Sequence, residues 1–206
     1  TIWQNYSKEH TYDLEEYNEK KIIVSNFIKR AKPKSLVDLG CNTGDFSKLA
    51  LSTGAEYVVG FDFDHNAVAD AFNKSAEENI NLLPLIFDAA NPSPNQGWSQ
   101  KERMGFLERF NSDALIALAF EHHLIIAKNI PIENFIDWIL KISKHGLIEF
   151  VPKSDVTIKK MLEFREDIFT DYTEENFENC LKQKSKIINK SIITKTGRVI
   201  YEYQVL

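Results

Sequence analysis

Residues 35–46 read Ser35-Leu36-Val37-Asp38-Leu39-Gly40-Cys41-Asn42-Thr43-Gly44-Asp45-Phe46, and this stretch decides the fold. Five residues form a short apolar run closed by Gly40, after which Phe46, Leu49, Ala50 and Leu51 recur at helical spacing as far as Gly54. A strand, a turn that glycine lets pass close to a ligand, and a helix follow in order. Downstream, Tyr57 to Phe61 reads as a second strand, followed from His65 by a helix through Ala67, Val68, Ala71 and Phe72. Leu82 to Phe87 makes a third strand, residues 91–97 a Pro-rich loop, and Ser99 is placed to cap a helix through Met104, Phe106 and Leu107. Asp113 to Phe120 is almost wholly apolar, as a central parallel strand covered on both faces should be. Phe135, Trp138, Ile139 and Ile142 recur at helical spacing after Pro131, and Gly146 to Val151 is a fifth strand stopped by Pro152.

The flanks complete the pattern. Tyr12 to Arg30 carries Leu14, Tyr17, Ile22, Ile23, Phe27 and Ile28 with helical recurrence. After Pro152 come a helix from Ser154 to about Arg165 and another capped by Thr173. Two strand-like runs, Ser185 to Thr194 and Arg198 to Leu206, are joined by Lys195-Thr196-Gly197. The prediction is an α/β fold: a seven-stranded, mostly parallel sheet with helices on both faces and an antiparallel C-terminal hairpin. One domain spanning 1–206, with 1–30 as an N-terminal helical cap, suits 206 residues that are 43% hydrophobic and 27% charged.

Charge and cysteines narrow the partners. Lys and Arg number 25 against 30 Asp and Glu, with no basic run, which argues against nucleic acid. No apolar run reaches membrane-spanning length and no charged-then-apolar leader opens the chain, so no membrane partner is expected. Cys41 and Cys180 are too few for a disulfide framework and lack metal-ligand spacing, which leaves a cytoplasmic setting and no metal as the expectation.

Leu36 to Phe46 resembles the first motif of class I, Rossmann-like methyltransferases, in which an acidic residue precedes a glycine-rich turn around the methionyl part of S-adenosylmethionine. The resemblance implies that Asp38 orients either the turn or the cofactor's amino group, while Gly40 and Gly44 make room. Asn42 stands where the family often has glycine, so a side-chain hydrogen bond is expected to hold the turn there. Asp62 ends the second strand, where a carboxylate can accept from both ribose hydroxyls; Asp64 competes for that role or caps the next helix. By the same resemblance Asp88 accepts from the adenine amino group, with Ala89 as backbone donor; otherwise it simply opens the Pro-rich loop. The expected cofactor-binding set is Asp38, Gly40, Cys41, Asn42, Gly44, Asp62, Phe63, Asp88 and Ala89. A dehydrogenase fits less well, because Gly40-x-x-x-Gly44 is not the G-x-G-x-x-G turn that admits a pyrophosphate.

After the fourth strand, Glu121-His122-His123-Leu124 is the candidate catalytic segment, with His122 as general base for O-methylation and Glu121 and His123 beside it. The alternative is that the histidines cap or pack the next helix. Adjacent histidines point to different sides, so a metal is not expected. Gly97-Trp98, Glu102-Arg103, His122-His123-Leu124, Asn129-Ile130-Pro131, residues 149–153 and Arg165-Glu166-Asp167-Ile168-Phe169 together resemble a narrower group of nodulation-type and glycan-modifying methyltransferases, over roughly Trp3 to Phe177. That implies a small-molecule or glycan acceptor. Trp98 is either a platform for a sugar ring or an anchor of its loop, and Arg103 and Arg165 either hold an acidic substrate or form ion pairs. Trp3, Tyr6, Tyr12 and Tyr17 are either a lid or a packed helix face. No Asp-Pro-Pro-Tyr or Asn-Pro-Pro-Tyr clamp follows the fourth strand, which disfavours an adenine or glutamine N-methyltransferase. The competing class is a non-catalytic cofactor-binding module within a larger protein.

Overall fold

The computed structural model describes residues 12–206; Trp3 and Tyr6 lie outside them. The strands are β1 Ser35–Leu39, β2 Tyr57–Asp62, β3 Leu82–Ile86, β4 Ala114–Ala117, β5 His145–Phe150, β6 Ser185–Ile192 and β7 Val199–Val205. They form one seven-stranded sheet in the order β3-β2-β1-β4-β5-β7-β6. β1 to β5 run parallel, and β7 enters antiparallel to β5 with β6 antiparallel outside it. The helices are α1 Leu14–Ala31, α2 Asp45–Thr53, α3 His65–Glu77, α4 Phe106–Arg109, α5 Glu121–Ile125, α6 Ile132–Ile142, α7 Val156–Leu162 and α8 Glu174–Lys184. The sheet is mostly parallel and carries the expected antiparallel C-terminal hairpin.

Alternation along the strands divides the core in two. Val37 and Leu39 of β1 face one cluster with α5, α6 and α8, while Leu36 faces another with α1 and α2. β1 and β4 are buried throughout, as strands covered on both faces must be. The chain builds outward from β1 to β2 and β3, then crosses to β4 on the other side of β1. The loops after β1 and β4 therefore diverge and leave a crevice at the carboxyl ends of the strands.

Several boundaries differ from the sequence reading. Ser99 does not cap a helix; Trp98–Gln100 is a 3-10 turn with Ser99 and Gln100 at φ +55° and +57°, and α4 begins only after Gly105. Gln96 and Arg103 exchange backbone hydrogen bonds of 2.9 and 3.1 Å, which pinches residues 96–103 into a small hairpin. Phe106 is then fixed by stacking on Phe87 and by edge contact with Phe61 rather than by a cap. β4 ends at Ala117, short of the expected Phe120, because Ala119 turns the chain at φ +51°, and Glu121, His122 and His123 open α5. The helix expected from Ser154 to about Arg165 is shorter: Asp155 caps α7, which runs from Val156 and stops at Leu162. No helix among the described residues is long and apolar enough to cross a membrane.

A buried polar network ties the ends of the fold together. Arg198 at the head of β7 donates to Asp155 through Nε at 2.8 Å and Nη2 at 2.9 Å, and to the Tyr12 hydroxyl at 2.6 Å. Lys20 of α1 reaches Glu149 of β5 at 2.7 Å and Tyr12 at 2.9 Å, and Tyr12 also donates to Glu149. Breaking such a network strands charge away from water. Arg198→Met should lower the unfolding free energy by about 3–5 kcal/mol, as a shifted urea midpoint with unchanged slope; a change under about 1 kcal/mol would show that the network adds nothing.

Candidate functional site

The turn after β1 is shaped by backbone constraints. Gly40 takes φ +77°, and its N–H and that of Cys41 both donate to the Phe61 carbonyl, at 2.8 and 3.0 Å. Asn42 follows at φ +49°, with its Oδ1 accepting from the Thr43 N–H at 2.8 Å, so a side-chain bond holds the position where relatives of this motif carry glycine. The Asn42 N–H donates to Asp62 Oδ2 at 2.8 Å, and Asp62 Oδ1 accepts from the Asp64 N–H at 2.9 Å. Asp62 thereby ties together the loops after β1 and β2. Asp64 caps α3 through the N–H groups of Asn66 and Ala67. A Cβ on Gly40 would stand 3.0 Å from the Phe120 ring, and one on Gly60 only 2.8 Å from Cys41 Sγ. Gly60 was missed in the sequence because the side chain it makes room for, Cys41, lies in the turn after β1.

Two cavities open at this edge. One of ≈ 250 Å³ is lined by Asp62, Phe63, Asp88, Ala89, Phe120, His123 and Lys128 among others; one of ≈ 70 Å³ by Tyr12, Tyr17, Lys20, Asp38, Cys41 and Asp45. Gly40, Asn42, Leu118 and Ala119 line both, so the cavities are two halves of one crevice that meet over the turn. Eight of the nine residues expected to bind a cofactor line one or both. Gly44 is the exception: at φ +85° it lines neither, and a Cβ there would press on Leu82 at 3.1 Å, so this glycine makes room for β3 rather than for a ligand. A larger open groove, ≈ 830 Å³, lies between α1, α2 and the turn before β3; it shares Tyr17 and Asp45 with the smaller half but is lined by none of Asp38, Asp62 and Asp88.

The polar groups are strongly biased by burial. Asp38 is 2% exposed, accepts from the Ser47 hydroxyl at 2.6 Å, and is pushed up to about 7 by desolvation. Burial likewise raises Asp62 and the Cys41 thiol, and lowers Lys20. The smaller half therefore brings together a carboxyl and a lysine whose charged forms are both disfavoured by burial and would both be favoured by a zwitterionic ligand end. Asp88 is anchored by accepting from the Ala90 N–H at 3.0 Å.

The three expected catalytic residues occupy one helical turn but not one environment. Glu121 is fully buried, its Oε1 accepting from the Val151 N–H at 2.7 Å and the Tyr172 hydroxyl at 2.9 Å. His122 is 2% exposed, with Nδ1 3.5 Å from Glu121 Oε2, and lines neither cavity. His123 lines the larger cavity; desolvation, then the neighbouring His122, bring it down to about 3, so it is neutral at physiological pH. Trp98 is 84% exposed at the tip of the 96–103 hairpin, and neither it nor Arg103 lines the crevice. The Arg165 guanidinium donates to the Ile126 carbonyl and Asn129 Oδ1, both at 2.8 Å. Tyr12 and Tyr17 both pack, Tyr12 in the core and Tyr17 edge-on to Phe46 at 5.8 Å, and both line the smaller half. Lys20 was not foreseen, although a lysine on the Lys20-Val24-Phe27 stripe of an otherwise apolar helix face is a visible signal. Among the described residues no group of three His, Cys, Asp or Glu side chains could hold a metal.

No family model matches the chain. It is 48% identical over 204 residues to the nodulation protein NoeA of Rhizobium meliloti (strain 1021), covering 99% of this chain and 43% of that protein. The chain thus spans less than half the length of its curated relative. Among solved structures it is similar to the N-methyltransferase NodS from Bradyrhizobium japonicum WM9 in complex with S-adenosyl-L-homocysteine, with TM-score 0.68, 10% identity, and 98% and 97% of the two chains covered. It is also similar to magnesium protoporphyrin IX methyltransferase from Synechocystis PCC 6803 with bound SAM, with TM-score 0.61, 17% identity, and 93% and 80% covered. The fold is that of Rossmann-like methyltransferases.

Because Asp38 binds its proton more tightly when folded, the native state holds more protons than the unfolded chain between pH 3.8 and about 7. Stability from this group is therefore present at low pH and lost as pH rises through that window. The Asp38→Asn variant should gain stability relative to wild type on going from pH 5 to pH 8 in paired denaturant titrations; parallel curves would place the Asp38 carboxyl in water.

Proposed function

We propose that this chain binds S-adenosylmethionine in the two-part crevice and transfers its methyl group to a hydroxyl of a sugar or other small molecule. The observation that carries the reading is the meeting of the two cavities at Gly40 and Asn42, with Asp62 and Asp88 on one side and Asp38 and Lys20 on the other. The residues fit such a ligand: a Cβ at Gly40 would occupy the shared wall, Asp62 stands where ribose hydroxyls would donate, and Asp38 and Lys20 complement an ammonium and a carboxylate. The ligands in the names of the two similar structures, S-adenosyl-L-homocysteine and SAM, support the same assignment.

When bound, the cofactor supplies an electrophilic methyl on a sulfonium, so what remains for the protein is alignment. Leu118 and Ala119 line both halves and form an apolar wall where they join. Phe63, Phe120 and Leu124 extend it along the nucleoside half. The proposal does not lean on His122 as general base. A base must come within hydrogen-bond reach of the acceptor, and His122 is enclosed with Glu121. A hydroxyl acceptor is supported by the acidic charge balance and by the missing Pro-Pro-Tyr clamp. Coverage of only 43% of the curated relative keeps a second reading in view, a cofactor-binding module serving other parts of a longer protein.

Calorimetry with S-adenosylhomocysteine should give a saturable isotherm for the wild type and at least tenfold weaker binding for both Asp62→Ala and Gly40→Ala. No heat at millimolar ligand would reject the cofactor. Incubating a glycan or metabolite extract with isotopically labelled donor, followed by mass spectrometry, should reveal a product with one labelled methyl on oxygen. Label on nitrogen would overturn the hydroxyl assignment, and binding without any transfer would favour the module.

A further inference from the structure

The hairpin of residues 96–103 holds a costly backbone and leaves its side chains unspent. Ser99 and Gln100 sit side by side at positive φ, a region that costs energy outside glycine, and a Cβ at Gly97 would collide with Glu102. An anchoring tryptophan would be buried, yet Trp98 is 84% exposed, and its ring meets no other ring or cation among the described residues. Ser99 to Arg103 are all exposed, and among the described residues none of their side chains forms a hydrogen bond or ion pair. The root of the hairpin, by contrast, is fixed to the crevice wall. The Phe106 N–H donates to the Ser93 carbonyl at 2.8 Å, the Gly105 N–H donates to Asn95 Oδ1, and the Phe106 ring stacks at 4.4 Å on Phe87, which lines the larger cavity.

We infer that this hairpin is a carbohydrate-binding arm: Trp98 stacks on a sugar ring of a glycan acceptor outside the crevice, and the polar side chains beside it hold the ring's hydroxyls. The inference rests on the methyl-transfer reading above. A pyranose offers a C–H face that lies flat on an indole and a rim of hydroxyls that both donate and accept. At the tip Gln100 can fill both roles, Lys101 and Arg103 donate, and Glu102 accepts. A protein partner would instead call for a contiguous apolar patch, whereas Ser99 to Arg103 are all polar. Holding the acceptor at the arm raises the local concentration of its hydroxyl at the crevice without touching the reacting atoms, so Trp98 is an acceptor-binding residue and not a catalytic one. The backbone strain keeps the indole presented before the acceptor arrives.

The oligosaccharide fraction of a glycan extract, titrated against saturating labelled methyl donor, tests this with wild type, Trp98→Ala and Trp98→Phe. The alanine variant should need about tenfold more of the fraction for half-maximal labelling while its maximal rate and its S-adenosylhomocysteine affinity stay within about twofold of wild type; phenylalanine should restore most of the loss. A half-maximal concentration for Trp98→Ala within twofold of wild type overturns the inference, as does a loss confined to the maximal rate or to S-adenosylhomocysteine affinity. Should the alanine variant fail to show a native circular dichroism spectrum, Trp98→Gln is read by the same criteria. Wild-type label found only on metabolites without a sugar also overturns the inference and leaves methyl transfer standing. Absence of any wild-type label would instead remove the methyl-transfer reading itself.

Discussion

The carboxylate of Asp62 holds two loops at once, one oxygen on the Asn42 N–H and the other on the Asp64 N–H. The turn after β1 departs from strand geometry through positive φ at Gly40, Asn42 and Gly44, conformations that cost energy outside glycine. Asp62 and the Phe61 carbonyl supply the acceptors that keep this backbone in place. Because β1 and β2 are in register from Ser35–Tyr57 to Leu39–Phe61, the two loops leave the sheet side by side and the acceptors are already aimed. The crevice is thus a product of sheet register first and of side-chain chemistry second.

Electrostatically the two halves are unlike. The larger half is walled by Phe63, Phe87, Phe120 and Leu124, with Asp62 and Asp88 also lining it. The smaller half faces Asp38 and Lys20, each desolvated and each within the influence of the other. Lys20 connects this half to Glu149 and, through Tyr12, to Arg198. Charge at the ligand-facing end is therefore coupled to the network that holds α1 against β5 and β7.

Much of the architecture was legible because it depends on local periodicity. The apolar runs of β1, β2 and β5 and the helical spacing of α1 and α6 reflect burial, which the chain states residue by residue. That Asp38, Asp62 and Asp88 line one crevice was legible for a related reason, since Asp38 and Asp62 lie at the carboxyl ends of β1 and β2 and Asp88 two residues past β3, where a parallel sheet gathers side chains. What escaped depends on contacts between distant segments. Ser99 has the look of a cap, but the Gln96–Arg103 pairing and the Phe106 aromatic cluster decide that region. Glu121 and His122 carry the chemistry of a catalytic pair after the fourth strand, but with Ala119 at positive φ they are buried at the start of α5, the packing alternative. Gly44 fits a ligand motif and in fact accommodates Leu82.

The contact between Tyr12 and Arg198 joins residues 186 positions apart. During synthesis the chain emerges from its amino end, so Lys20 and Glu149 must wait for a guanidinium near the last strand before the ensemble around them is complete. The strand β5, at the edge of the growing sheet, meanwhile leaves one side unpaired until β7 arrives. A nascent chain is thus vulnerable at that edge until residues 199–205 have left the ribosome, and holding factors that shield unpaired strands would act on it until then.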